Sequence, residues 1–215
     1  MLKFIINRDF TQSNRWTKAC VIFLIGIQRM EEFKLDLIAQ LFNPDELIKE
    51  VSAWALFQFN QHEYHKNARR LGDFTRRELD DLILHARKMT RFEKILFFQK
   101  ISVFEAIPGL TLSYLADISD EIRMREAHTL VLDERSNAFF YVIVSGTVQL
   151  YQRGEEAVSF TQGQFIGEML ALPNFVNTNV LIAQTDVVIL KFNKEQFYEL
   201  LADNVMLADK ISEYI

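Results

Sequence analysis

The apolar residues of this chain change their spacing once, near Ser119, and that change limits the folds open to it. From Arg15 to about Gln99 they recur every three or four positions, as along one face of a helix. Afterwards they alternate: Val142 and Val144, Val148 and Leu150, Val158 and Phe160, within "YVIVSGTVQLYQRGEEAVSFTQGQF". Alternation sends successive side chains to opposite faces of a strand, so a half-buried antiparallel sheet is expected. The reading is α+β, with helices first and sheet second.

Helix starts sharpen the first half. Helices are predicted near residues 15–29, 33–41, 44–58, 60–70, 76–87 and 91–101. In "NPDE" Asn43 reads as the N-cap, with Pro44 at the first helical position and Glu46 at the third. Thr75 with Glu78, and Thr90 with Glu93, read as capping boxes. In the second half Ser145-Gly146 and Arg153-Gly154 fall at hairpin-turn spacing, which predicts an antiparallel meander. "VLIAQ" and "VVILKF" then flank a Thr185-Asp186 turn. Helix resumes after Asn193, whose side chain caps and whose third successor is Gln196, and a last amphipathic stretch runs from Asn204 to Ile215. Seven glycines and three prolines leave little for long loops, and the 19 phenylalanines are expected to fill core.

Charge is uneven. Residues 1–110 hold 17 Lys+Arg and 14 Asp+Glu, and residues 111–215 hold 7 and 15, so a total of −5 hides a C-terminal half of −8. Binding to nucleic acid draws on cations facing phosphates, so DNA is not an expected partner of that half. The lone Cys20 excludes an internal disulfide and fits a reducing, cytoplasmic setting. Within an apolar helical pattern it reads as a packing thiol over a nucleophile. Met1–Phe10 lacks the pattern of a targeting signal, and Ala19–Ile27 falls short of the ~20 apolar residues a bilayer needs. A soluble chain is expected, and the opening "MLKFIINRDF" leaves room for it to be cut from a longer one.

Slid by 31 positions, "KACVIFLIG" from Lys18 matches "KEVSAWALF" from Lys49. Such a unit must stack on a neighbour to bury its apolar face. With "PDELIKEVSAWALFQF" the segment of about 14–70 resembles HEAT repeats. The resemblance implies an all-α HEAT-like domain over 1–90 that meets a protein partner or a neighbouring domain.

Residues 91–215 carry a second resemblance. "LFFQKISVFEAIPGLTLSYLADI", then "FYVIVSGTVQLY", a Gly-Glu some 20 residues on, and a final "KEQFYELLAD" are similar to the cyclic nucleotide-binding domain superfamily, from about residue 92. The resemblance implies a double-stranded, jelly-roll-like β-roll with flanking helices. It also implies a phosphate-binding cassette in "FIGEMLALPNFVNTNV": Gly167 lets the backbone approach the phosphate, and Glu168 accepts from the ribose hydroxyl. A short helix starting at Met169 or Leu170 offers amides to the anion. At the family's arginine position stands Asn177, followed by Thr178. A guanidinium pairs with phosphate through charge-assisted bonds, and an amide offers a neutral one; the difference is about 1–2 kcal/mol. Two further family glycines are missing, at "REAHTLVL" (His128) and at "DERSNA", where Asn137 or Ser136 would take the turn.

Other chemistry is sparse. "HEYH" sets His62 and His65 three apart, short of a His-Glu-x-x-His zinc motif, and reads as a helix face before a metal site. Arg69, Arg70, Arg76, Arg77, Arg87, Lys88 and Arg91 are interleaved with acids, a salt-bridged surface before a site for acidic partners or lipid headgroups. Enzyme motifs are missing. Three readings stay open: a non-enzymatic regulatory module with a weakened nucleotide site, a working cyclic-nucleotide sensor whose cation comes from Arg123, Arg125 or Arg153, and an interaction scaffold, including one attached to a membrane protein. No resident cofactor is expected beyond such a nucleotide or other small ligand.

Overall fold

The computed structural model describes residues 1–7, 14–133, 136, 138–151, 157–167 and 179–214. Ten α-helices occur among them: α1 Leu2–Ile6, α2 Arg15–Gln28, α3 Lys34–Gln40, α4 Glu46–Phe59, α5 Gln61–Ala68, α6 Asp73–Ile83, α7 Arg91–Phe98, α8 Gly109–Asp117, α9 Lys194–Asp203 and α10 Val205–Tyr214. Eight strands accompany them: β1 Ser119–Met124, β2 Thr129–Leu132, β3 Phe139–Ser145, β4 Val148–Tyr151, β5 Val158–Phe160, β6 Phe165–Ile166, β7 Asn179–Ala183 and β8 Val187–Asn193. The chain divides into a helical unit (Met1–Leu96 with Pro108–Ala116) and a roll unit (Phe97–Ile107 with Asp117–Ile215). The helical unit thus runs past residue 90 to Leu96, and one exchange follows: nearly all of α8 belongs with the helices, and residues 97–107 with the roll.

In the helical unit the two segments related by the 31-residue shift fall on α2 and α4, and these helices pack on each other. Gly26 marks the crossing, where a Cβ would lie 2.8 Å from the Ala55 backbone and 2.7 Å from the Trp54 ring. Phe23 stacks between Trp54 (4.7 Å between centroids) and Phe92 (4.4 Å). A second core joins Leu41, Leu56, Tyr64 and Leu79 under α5 and α6. Glu50 is buried on α4, and Arg91 donates to it both its backbone N–H (2.7 Å) and its guanidinium. Burial pushes the Glu50 carboxyl up, and the Arg91 charge opposes that shift.

Two caps differ from expectation. Asp45, one residue past the proline, caps α4 by accepting from Ile48 N–H, while Asn43 accepts from Asp45 N–H and shapes the entry. Thr75 lies inside α6, which starts at Asp73 after Gly72. The Thr90–Glu93 box does form: Thr90 N–H reaches Glu93 at 2.7 Å, and Glu93 N–H reaches Thr90 Oγ1 at 3.2 Å. Asn193 caps α9 through the amides of Glu195 and Gln196.

The roll unit holds two antiparallel four-stranded sheets, ordered β1-β8-β3-β6 and β2-β7-β4-β5. Tyr141, Ile143, Val148, Leu150, Ile166, Leu181 and Ile189 meet in one core. Here the meander expectation is corrected. β3 and β4 lie in different sheets, so Ser145-Gly146 carries the chain across the roll; only β4 and β5 form a paired hairpin, with Leu150 opposite Val158. Alternation looks the same for a hairpin and for a strand that changes sheets, and the difference lies in the corner.

That corner is tightly tied. Gly146 takes φ +82°, and a Cβ there would fall 2.3 Å from the Asp186 carbonyl oxygen. Thr147 N–H donates to Thr185 Oγ1 (3.1 Å), and Gln184 N–H to the Thr147 carbonyl (2.8 Å). Glu126 N–H donates to Asp186 Oδ1 (3.0 Å), and Ala127 N–H to the Ala183 carbonyl (2.8 Å). Three chain crossings are thus bonded into one end of the roll. Ala127, beside His128, takes the left-handed conformation (φ 65°) with a side chain in place.

Gly163 shares the φ of +82° but has no atom within 4 Å of a Cβ. Gly163→Ala is expected to cost about 1–2 kcal/mol from conformation alone. Gly146→Ala adds a clash with backbone and is expected to cost at least ~2 kcal/mol more. Urea denaturation midpoints of the two variants check this, and equal losses would contradict the close approach.

Candidate functional site

β6 is short and runs antiparallel to β3, with Ile166 opposite Tyr141 and Phe165 opposite Val142. At its end Gly167 turns with φ +85°, and a Cβ there would be 3.4 Å from the Phe139 carbonyl oxygen, ordinary contact. Its backbone conformation, rather than lack of room, is what favours glycine. Glu168, Met169, Leu170, Asn177 and Thr178, the rest of the expected cassette, lie outside the described residues, as do Arg153, Arg135 and Asn137.

Beside Gly167, inside the roll, is a cavity of about 40 Å³ lined by Leu132, Phe139, Tyr141 and Leu150 with the polar Ser136 and Asn179. Its volume suits a water or two. Asn179 sits at an inward position of β7, in step with Leu181 and Ala183, and is 4% exposed. An alternating strand pattern places it, yet its value as a buried amide is visible only once β7 is paired. Ser136 takes up the turn left without glycine: its N–H and Oγ both reach Asp133 Oδ1 at 3.2 Å, and Asp133 N–H donates back to Ser136 Oγ. Burial pushes the Tyr141 phenol up, a hydrogen bond with Ser136 opposes this, and the Asp133 charge adds to it. Among the described lining residues every polar group is neutral.

Arg123 and Arg125 stand elsewhere. β3 runs from Phe139, beside Gly167, to Ser145, and Arg123 lies across β8 from that far end, through Val188. Six residues of strand separate the two ends by about 20 Å. Arg123 is also held by Glu121 at 2.6 Å, and with Arg125, His128 and Asp186 it borders a separate open groove. A phosphate seated at Gly167 is beyond the reach of either side chain.

The rest of the candidate chemistry is quickly placed. His62 and His65 are exposed on α5, and the His65 ring meets Phe57 and Tyr64 edge-on. Within the basic stretch Arg76 pairs with Asp73 (3.2 Å) and Arg87 with Asp81 (2.8 Å). Arg91 instead serves the buried Glu50, a partnership 41 residues long that local charge pattern gave no sign of. No described helix is long and apolar enough to cross a membrane.

Phe165, two residues before Gly167, joins a layer of rings on the outer side of the β3–β8 sheet. It meets Phe104 (6.0 Å) and Phe140 (6.4 Å). Phe140 stacks on Phe192 (4.8 Å, 5° between planes) and meets Phe197 of α9 edge-on at 4.8 Å. Gly167, whose Cβ would lie 3.7 Å from the Phe140 Cβ, and α9 thus border one set of packed rings, while the cavity lies on the opposite face of the sheet, against Tyr141 and Ile166.

Residues 122–204 match the family model of the cyclic nucleotide-binding domain. The cGMP-dependent protein kinase egl-4 of Caenorhabditis briggsae is 30% identical over 135 residues, 59% of this chain and 18% of that protein. The cAMP-dependent protein kinase regulatory subunit of Aspergillus niger is 25% identical over 128 residues, again 59% of this chain and 30% of that protein. Among solved structures, the regulatory subunit of a cAMP-independent protein kinase A from Trypanosoma brucei aligns with a TM-score of 0.47 at 23% identity, covering 57% of this chain and 46% of that one. The chain spans 30% or less of the length of these curated relatives.

Cys20, the one thiol, lies half-buried on α2, and burial pushes it up to about 11. Little thiolate then exists at pH 8, although a thiolate of high pKa attacks faster once formed. Alkylation by iodoacetamide at pH 8 is expected to run at least about tenfold slower than for a free thiol and to rise steadily as pH approaches 11. Labelling as fast as in a short peptide would contradict this.

Proposed function

We propose that this chain is a non-enzymatic regulatory module whose cyclic nucleotide-binding roll has lost the cation that would hold the phosphate, so that cyclic AMP and cyclic GMP bind weakly or not at all. The observation that carries this reading is the charge of the site. Asn177 stands at the arginine position by ungapped alignment, the described lining of the cavity is neutral, and Arg123 and Arg125 sit at the other end of β3. Replacing a charge-assisted bond by a neutral one costs about 1–2 kcal/mol, or roughly tenfold in affinity, before long-range attraction is counted.

In this reading the roll senses its cradle through the ring layer. An occupant at Gly167 presses on Phe165 and Phe140, and Phe197 passes the change to α9. The HEAT-like helices act as the reader or the platform for a partner. A second reading, a scaffold whose pocket is filled by its own side chains, draws on the cavity's small size of about 40 Å³.

Calorimetry separates these. The chain as it stands is expected to give no binding of either cyclic nucleotide below about 100 μM, and Asn177→Arg is expected to gain at least about tenfold. Micromolar binding without the substitution would overturn the proposal in favour of a working sensor. No gain in a folded Asn177→Arg variant would favour the filled scaffold.

A further inference from the structure

A separate pocket of about 290 Å³ opens in the helical unit, walled by α2, α4 and α7. That volume equals about ten waters and approaches the lower end for small-molecule sites. One wall carries the rings of Phe23, Trp54 and Phe92, already held in a stack. Both charged side chains in its lining are carboxylates, Glu50 and Glu93.

The two acids differ in setting. Glu50 is 3% exposed and fixed in place by Arg91, so its oxygens are aimed at no conformational cost. The Arg91 and Lys94 charges both act on the Glu50 carboxylate, whose two oxygens together offer about four acceptor sites. Glu93 lies exposed at the rim, bound to Thr90 through one oxygen, Oε2. A ring-lined recess with two carboxylates favours a group that is apolar in body and cationic at one end: the rings, with Phe23 and Phe92 covered on both faces by stacking, offer apolar contact, and the carboxylates attract ammonium.

We propose that this pocket is a binding site for a small organic ammonium, an amine carried on an aromatic or branched aliphatic body, with the body against the Phe23–Trp54–Phe92 wall and the ammonium between Glu50 and Glu93. All of its described lining residues belong to the helical unit. It gives the helical unit a ligand of its own, recognised by charge opposite to that of a phosphate.

Fluorescence of the whole chain tests it, because Trp54 lines the pocket. The probes are 2-phenylethylamine, 2-phenylethanol and phenylacetate, which share a ring and differ in charge. Saturable change with the amine is expected, about tenfold tighter than with the alcohol and with no binding of the acid. Glu93→Gln removes the charge and keeps the capping box, since glutamine serves there equally, so the fold is preserved while amine affinity falls about threefold or more. Trp54→Phe is expected to abolish the signal. Equal affinity for amine and alcohol, an unchanged amine Kd in Glu93→Gln, or no saturable change up to about 10 mM amine would each overturn the proposal.

Discussion

A sheet with both faces buried is the constraint on which the roll depends. β3 and β8 alternate between two apolar environments: Tyr141, Ile143, Val187 and Ile189 enter the core between the sheets, and Phe140 and Phe192 enter the outer ring layer. Phe98, Phe104, Phe140, Phe192 and Phe197 are all fully buried. Each such side chain contributes about 1.5–3 kcal/mol by burial, and well-oriented ring pairs add about 0.5–1.5 kcal/mol. With Phe165 this layer takes six of the 19 phenylalanines, filling the space beneath α9, residues 102–104 and the sheet, while Phe4, Phe42 and Phe74 are exposed and do not fill core.

In the proposed reading the same constraint fixes where a ligand would be felt. Gly167 sits at the edge of that layer, one short strand from Phe165, so the cradle and the C-terminal helix cannot move independently without opening gaps in a close-packed interior. The opposite end is tied by Gly146, Thr147, Thr185 and Asp186 and is poorly placed to respond. One end of the roll is tied by hydrogen bonds across three chain segments, and the other is packed through rings against α9. Its proposed weakness lies in charge, since the acid and the glycine remain in the sequence where the base does not.

Much of this was legible from the residues. The period change at Ser119 located the sheet, and the strands at 142–144, 148–150 and 158–160 fell where alternation put them. Helix ends followed cap chemistry at Thr90 and Asn193 and missed at Asn43, because a proline beside two good cap residues lets the second take the role. Sheet membership was not legible: a corner and a hairpin use the same glycine, and only Asp186, forty residues away, distinguishes them. Glu50 with Arg91 was hidden for the same reason, since a buried pair between distant helices leaves no local signature. The cassette beyond Gly167 remains an inference from resemblance, residue by residue.

The mechanical claim is open to one direct measurement, amide hydrogen exchange in Phe140→Leu. Shrinking that ring leaves a gap touching Phe165, Phe192 and Phe197 at once, and is expected to cost about 1–2 kcal/mol. Exchange should then quicken about tenfold in both α9 and the 165–167 segment, while the Gly146 corner keeps its protection. Faster exchange confined to β3, with α9 and residues 165–167 unchanged, would show that the ring layer does not join cradle to helix.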